Sequence, residues 1–295
     1  MVISYRERIV KHLQQTRPNL SASSLKTYSS VLYNLHKNMH GSMEDINWFS
    51  ANVEDILKHL ADKNKSTQKS TLSALFVLTG KPVFREEMMK QSREINELYK
   101  EQKKTEKQER NWLSTDEIKS KYDSLHEKVK DIFSKKMVGD VATIIDYLLV
   151  ALLSGVLTPP RRSLDYALLK WRNYNPQTDN YYKRGKLYLN KYKTSDTYGL
   201  AKVDVPKELD TVIRKWLKVN PSDYVLISSN NEPLSSSQIT RRLNAIFGKR
   251  VSFNMLRRMY LTNFYMNTPP LKDMERVARD MGHNVMTALE YVKRA

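Results

Sequence analysis

The chain has 295 residues, 40% of them apolar, with 50 Lys and Arg against 32 Asp and Glu for a formal charge of +18. That length suits one large or two ordinary domains, and the apolar share is enough for a real core. The absence of cysteine excludes disulfide frameworks, thiolate metal sites, zinc fingers and cysteine nucleophiles. The excess of positive charge points to a polyanion, most simply nucleic acid, because Lys and Arg neutralise phosphate whatever the base sequence. An anionic membrane surface is the competing partner. Residues 1–8 hold no apolar signal region, and no run approaches the roughly 18 apolar residues of a membrane helix. A soluble, intracellular protein with no membrane partner is expected.

Residues 1 to about 100 read as helices alone. Tyr5, Ile9, Val10 and Leu13 recur at helical spacing and predict a helix over 5–14. Pro18 and the serine-rich run at 21–24 end it and cap the next, whose apolar stripe is Leu25, Tyr28, Val31, Leu32 and Leu35. Two more helices are expected over 53–61 and 67–78. Gly80-Lys81-Pro82 breaks the pattern before a long charged helix over 83–107. Its last part, 100–110, has no apolar stripe and reads as a solvated linker. Contact with a DNA backbone is the other reading of that stretch, and the sequence does not choose between them.

A second domain opens at Asn111-Trp112-Leu113-Ser114, with Ser114 as N-cap and Glu117 at the capping-box position. Helices over 115–135 and 138–154 follow, the second strongly apolar through Ile144, Ile145, Leu148, Leu149, Val150, Leu152 and Leu153. After Pro159-Pro160 come Arg161-Arg162-Ser163-Leu164-Asp165, then Leu169 and Trp171. Residues 181–206 turn to strand character: 186–193 alternates, a turn falls near Ser195-Asp196, and the chain returns through Val203 and Val205. Helices are expected over 209–219, 237–247, 253–265, 271–281 and 286–293. The fold class is therefore mainly α with a small antiparallel β-sheet (α+β), in two domains: 1–100, a charged linker 101–111, and 112–295. Residues 1–111 carry +6 and residues 112–295 carry +12, so both parts are basic and suit a clamp around a duplex.

The chemistry gathers near the C-terminal end. Gly282-His283 places an imidazole at a loop-to-helix junction, and Tyr291 follows His283 by eight residues. A phenol, with a pKa near 10, attacks phosphorus only with help from cationic neighbours. Moving a phosphodiester onto tyrosine without a metal requires cations on the non-bridging oxygens, a proton donor for the leaving 5′ oxygen, and hydrogen bonds that orient the phosphate. Arginine's fork suits the first task. Lysine or histidine suits the second. The candidates appear in chain order as Arg162, three residues before Asp165; Lys193, at the tip of the predicted hairpin; Asn254 and Arg257, on one helix face; His283; and Tyr291. Each has a plainer reading. Arg162 could simply pair with Asp165, leaving Arg161 to hold the phosphate. Lys191 and Lys186 compete with Lys193, Arg258 competes with Arg257, Asn254 could be only an N-cap, and Tyr291 could be packing.

In their order and spacing these residues resemble the catalytic domain of the tyrosine recombinases, the phage-integrase family. That family's first box, Arg, two residues, Glu or Asp, then Leu and often Trp, is matched by Arg162, Asp165, Leu169 and Trp171. Its hairpin lysine falls on Lys193, its His-x-x-Arg box on Asn254 and Arg257, its Gly-His on Gly282-His283, and its nucleophile on Tyr291. The resemblance covers most of the chain and implies that residues 1 to about 100 are a helical core-binding domain. It implies a site-specific DNA recombinase or integrase that works through a covalent 3′-phosphotyrosine on Tyr291; separately, the low Gly count and the Lys/Asn/Tyr-rich composition point to a viral or mobile-element origin. Arg162 and Arg257 would then stabilise the transition state, His283 and Asn254 would bind its oxygens, and Lys193 would protonate the leaving hydroxyl. No metal or other cofactor is implied. The implied partner is double-stranded DNA, held by a homo-tetramer that is a monomer or weak oligomer when free, in whichever compartment contains the target, host nucleus or cytoplasm if viral. A type IB topoisomerase and a catalytically impaired DNA-binding relative are the alternatives. Three departures stand out: Asn254 replaces the usual histidine, the His283-to-Tyr291 spacing is eight where nine is commoner, and only four residues follow Tyr291.

Overall fold

Polar side chains at helix starts set much of the architecture. In a computed structural model that describes residues 4–39, 45–135, 140–266 and 269–293, Ser4, Ser114 and Ser235 each close a capping box with the residue three positions on. Each satisfies amides that the first helical turn leaves unpaired. Helix accounts for 63% of the described residues, against one three-stranded sheet among them, so the fold is mainly α with a small antiparallel β element. Among the described residues no helix is long and apolar enough to cross a membrane.

The chain divides into two compact units, Met1–Glu101 and Gln102–Ala295. The first contains α1 (Tyr5–Thr16), α2 (Ala22–Asn38), α3 (Trp48–Ala51), α4 (Val53–Ala61), α5 (Lys65–Thr79) and α6 (Pro82–Lys100). Ile9 and Leu13 from α1, Leu32 from α2, Phe49, Ile56, Leu75 and Phe84 are buried together in its core. Gly80 ends α5 with φ of +70°, the left-handed turn that glycine adopts without strain. The short α3 escaped the sequence reading, because four residues show no period, yet it delivers the buried Phe49.

The second unit begins with α7 (Glu106–Asn111), α8 (Thr115–Ser134) and α9 (Val141–Leu153). The charged stretch read as a solvated linker is thus helical over its second half, started by a Thr105–Gln108 capping box. Residues 138–139, where the sequence placed the start of the apolar helix, lie outside the described residues. Helix α9 is apolar on every side and buried from Tyr147 to Leu153, as expected of a helix at the centre of a domain. It packs against α8, α12 (Lys207–Leu217), α13 (Ser236–Phe247) and α14 (Phe253–Met266).

The sheet runs β1 (Tyr181–Lys183), β2 (Lys186–Leu189), β3 (Ala201–Asp204), all antiparallel, with Leu187 opposite Val203. Arg184 and Gly185, both at positive φ, form the two-residue turn between β1 and β2 that matches strand twist. The predicted hairpin differs in two ways. Strand β2 stops at Leu189, and residues 190–200 form a long connection that contains the one-turn helix α11 (Ser195–Tyr198). Short helix α10 (Ser163–Ala167) follows the Pro159-Pro160 break.

The C-terminal part is α15 (Leu271–Asp280) and α16 (Val285–Leu289). The sequence expected the last helix to run over 286–293. It ends at Leu289 because the Tyr291 and Val292 amides bond three residues back, to Ala288 and Leu289, and Val292 turns into a small cluster with Leu261, Val277, Met281 and Ala288. That tightening places Tyr291 in a turn beyond the helix.

Candidate active site

Backbone breaks bring four charged or titratable side chains to one place in the second unit. Pro159-Pro160 cannot continue a helix, so the chain enters α10 in extended conformation with Arg162 as its N-cap residue, at φ −72° and ψ 148°. The two arginines at this corner do different things. Arg161 is 1% exposed; its Nε donates to Asp165 Oδ2 at 2.9 Å, and its Nη1 donates to the Asp280 carbonyl at 2.6 Å. Its guanidinium also lies over the Tyr192 ring, 4.9 Å from the centroid. Arg162 is half-buried and has no such carboxylate; its Nη1 is buried without a hydrogen-bond partner. The plainer reading of Arg162 as the partner of Asp165 is therefore wrong in this fold, because the i,i+4 pair belongs to Arg161.

Arg257 comes from the middle of α14 and is fully buried. Its Nη1 donates to the Pro160 carbonyl at 2.6 Å and its Nη2 to the Met281 carbonyl at 3.4 Å, which ties α14 to both neighbouring turns. Burial draws its pKa down to about 10, with Arg162 adding to the depression, so the group is still a cation near neutral pH.

The Gly282-His283 turn closes the cluster. Gly282 has φ of +74°, and a Cβ there would lie 3.2 Å from Arg161 Nη2, so backbone conformation and space both call for glycine. His283 is 6% exposed, and both its ring nitrogens are buried without a well-formed hydrogen bond, the Asn284 backbone offering only a weak one. Burial, then the charges of Arg257 and Arg162, push its pKa down to about 4. The imidazole is thus neutral at pH 7. Its ring stacks on Tyr291, with centroids 5.6 Å apart and planes 16° from parallel. The guanidinium carbons of Arg257 and Arg258 lie 5.5 and 5.3 Å from the centroid of the same Tyr291 ring.

Of the six residues expected from sequence, four meet here. Arg257, His283 and Tyr291 are in mutual contact or stacking distance, and Arg162 acts electrostatically on Arg257 and His283. Asn254 lies exposed in the first turn of α14, one turn before Arg257. Lys193 is exposed in the 190–200 connection, whose neighbour Thr194 donates its hydroxyl to the Gly282 carbonyl at 3.0 Å. Two further participants appear. The competition between Arg257 and Arg258 in the sequence has no single winner here, because both flank the phenol. Asp280 matters through its backbone carbonyl, which no side-chain pattern signals.

Comparison with solved structures places this architecture. The XerH site-specific recombinase bound to palindromic difH substrate, in a post-cleavage complex, aligns over 97% of this chain and 80% of its own, with TM-score 0.54 and 15% identity. The fold is that of the tyrosine recombinases. A lambda integrase dimer bound to a COC′ core site aligns over 97% of this chain and 75% of its own, at TM-score 0.52 and 15% identity. The Tn1549 transposon integrase in complex with transposon right-end DNA aligns over 99% of this chain and 95% of its own, at TM-score 0.52 and 11% identity. No family model matches the chain, and no curated protein matches it by sequence. At such identities the likeness to the tyrosine-recombinase fold is one of fold.

Proposed function

We propose that this chain is a site-specific DNA recombinase or integrase that cleaves and rejoins duplex DNA through a 3′-phosphotyrosine on Tyr291. The observation that carries this reading is the Tyr291 ring, stacked on the neutral His283 and flanked by the Arg257 and Arg258 guanidiniums. A phenol gains phenolate character only where cations face it, and a phosphate is stabilised by the same cations. Arg257 and Arg162 take the non-bridging oxygens. Arg162 is suited to this because its neighbour Arg161 already neutralises Asp165, leaving its own Nη1 without a partner. His283, uncharged at pH 7, hydrogen-bonds a phosphate oxygen, and the Asn254 amide reaches the same phosphate from the start of α14. Lys193 supplies a proton to the 5′ oxygen that leaves. Rejoining is the reverse attack of a 5′ hydroxyl on the phosphotyrosine, so the bond energy is conserved and no cofactor is required.

In this reading Met1–Glu101 is the core-binding domain, and a net charge of +18 supplies affinity for the phosphate backbone of double-stranded DNA. The active assembly is a homo-tetramer, because exchange between two duplexes needs four cleaved strands. The test is a pool of nicked duplexes of randomised sequence, incubated with the protein and with a Tyr291→Phe variant, then resolved on a denaturing gel. The expected result is a covalent protein–DNA band from the unaltered chain alone. Absence of that band, or an equal band from the variant, overturns the assignment.

A further inference from the structure

Residues 190–200 leave the sheet after β2, return at β3, and carry Lys193 between them. The lysine side chain is exposed, but the residues around it are tied down. At the entry, Lys191 donates its amide to Asn180 Oδ1 at 2.7 Å and accepts from Asn180 Nδ2 at 2.8 Å. The Tyr192 hydroxyl donates to the Gly199 carbonyl at 2.8 Å, which closes the connection on itself, and the Tyr192 ring lies under Arg161. On the other side of Lys193, the Thr194 hydroxyl donates to the Gly282 carbonyl at 3.0 Å, bridging 88 positions of sequence. That carbonyl belongs to the residue immediately before His283, in a turn where Gly282 takes a positive φ and the Asp280 carbonyl accepts from Arg161. One hydroxyl therefore joins the segment holding the lysine to the turn holding the histidine.

The geometry points to Thr194 as a positioning residue, whose hydroxyl latches the Lys193 connection onto the Gly282-His283 turn and so holds the lysine where the leaving oxygen appears. The inference rests on the reading of Lys193 as the acid given above. In that step the Tyr291 oxygen bonds to phosphorus and the phosphorus–O5′ bond breaks. Its electron pair stays on O5′, which takes a proton from the Lys193 ammonium, while the phenol proton passes to water. A lysine on an untied connection samples many positions, and the fraction near O5′ falls. Thr194 contributes by narrowing that range, not by touching the phosphate.

Hydrogen exchange on the free protein reads the latch itself. In a Thr194→Val variant, which keeps the shape and removes the donor, amides of 190–200 should exchange up to about tenfold faster, the scale of one hydrogen bond. Thr194→Ser should stay near the unaltered rate. Unchanged exchange in Thr194→Val refutes the latch. The functional arm uses the duplex recovered from the randomised pool, resynthesised with sulfur in place of the bridging 5′ oxygen. A thiolate leaves without a proton, so the acid is no longer needed. Thr194→Val should cleave the oxygen duplex about tenfold more slowly and the sulfur duplex at the unaltered rate. Lys193→Ala should show the same pattern more strongly. Equal slowing of Thr194→Val on both duplexes would mean a general distortion of the site and overturn the positioning role. Failure of sulfur to restore Lys193→Ala removes the lysine as the acid, and failure to recover any duplex removes the proposed reaction; in both cases the exchange experiment still decides the latch.

Discussion

The two compact units bury polar groups in different ways. Among the described residues the polar side chains buried in Met1–Glu101 are Ser29, His36, Thr71 and Gln91, none of them Arg, Lys, Asp or Glu. His36 sits in an aromatic nest, 4.4 Å from the Tyr5 ring and 4.8 Å from that of Trp48, as a packing residue. Gln102–Ala295 buries Arg161, Asp165, Arg257 and Lys293, along with His283. Burying charge is costly and does not pack a core better than leucine does. A unit that buries the Arg161–Asp165 pair together with Arg257 and an uncharged His283 has given up stability at that point, as sites with perturbed titratable groups do.

The comparison breaks most visibly at Asp165. Removing it leaves Arg161 charged, buried and without its carboxylate, at a cost of about 3–5 kcal/mol in stability. Asp165→Asn, which keeps the volume, should still destabilise, and chemical denaturation would measure both. A cost below about 1 kcal/mol for Asp165→Ala would show that the Arg161 charge reaches water by another route.

Arg257→Ala comes next, and its effect is on rate. If the proposed reaction holds, withdrawing one preorganised cation should raise its barrier by about 3 kcal/mol or more, a hundredfold or greater loss of covalent product. Near-full cleavage by that variant would remove Arg257 from the proposed chemistry. In the first unit the corresponding experiment is Leu32→Ala, at a fully buried position of the helical core, with an expected loss of about 3 kcal/mol. Leu32→Met, which roughly conserves volume, should cost less than about 1.5 kcal/mol. Comparable losses for Leu32→Met and Asp165→Asn would erase the distinction between a core that tolerates repacking and a site that does not tolerate loss of charge.

The helical unit was legible because its elements carry their own period. Val53–Ala61 was read from sequence with the bounds the structure shows, since Ile56, Leu57 and Leu60 form one stripe. At the site, sequence supplied the residue types and their order, and Arg257, His283 and Tyr291 do come together. What it could not supply was the division of labour between neighbours. Arg161 and Arg162 are adjacent in sequence, and only the three-dimensional position of Asp280, 119 residues from Arg161, decides which one is consumed by Asp165 and a carbonyl. Equally, nothing local says that the last helix should end at Leu289. Val292 finds its partners on α14 and α15, and the resulting turn is what swings Tyr291 against His283.

The last expected effect depends on pH and concerns proton linkage at His283. Its folded pKa is about 4, below the ordinary 6.5, chiefly because of burial and then Arg257 and Arg162. Between those values the unfolded chain binds more protons at this position than the folded one does. Stability therefore rises with pH across that window; the contribution is fully present above about pH 6.5 and is lost as pH falls toward 4. The amount is about 3 kcal/mol. Asp165 and Asp280, whose pKa values burial raises, act in the opposite sense above the ordinary carboxylate value. The raw stability curve mixes these contributions, whereas the difference between the unaltered chain and a His283→Gln variant isolates the histidine. That difference should grow in favour of the unaltered chain as pH is raised from about 4 to about 7 and then level off. A flat difference curve would mean that His283 titrates as a solvated imidazole, and the stacked, uncharged ring beside Tyr291 would no longer describe the site.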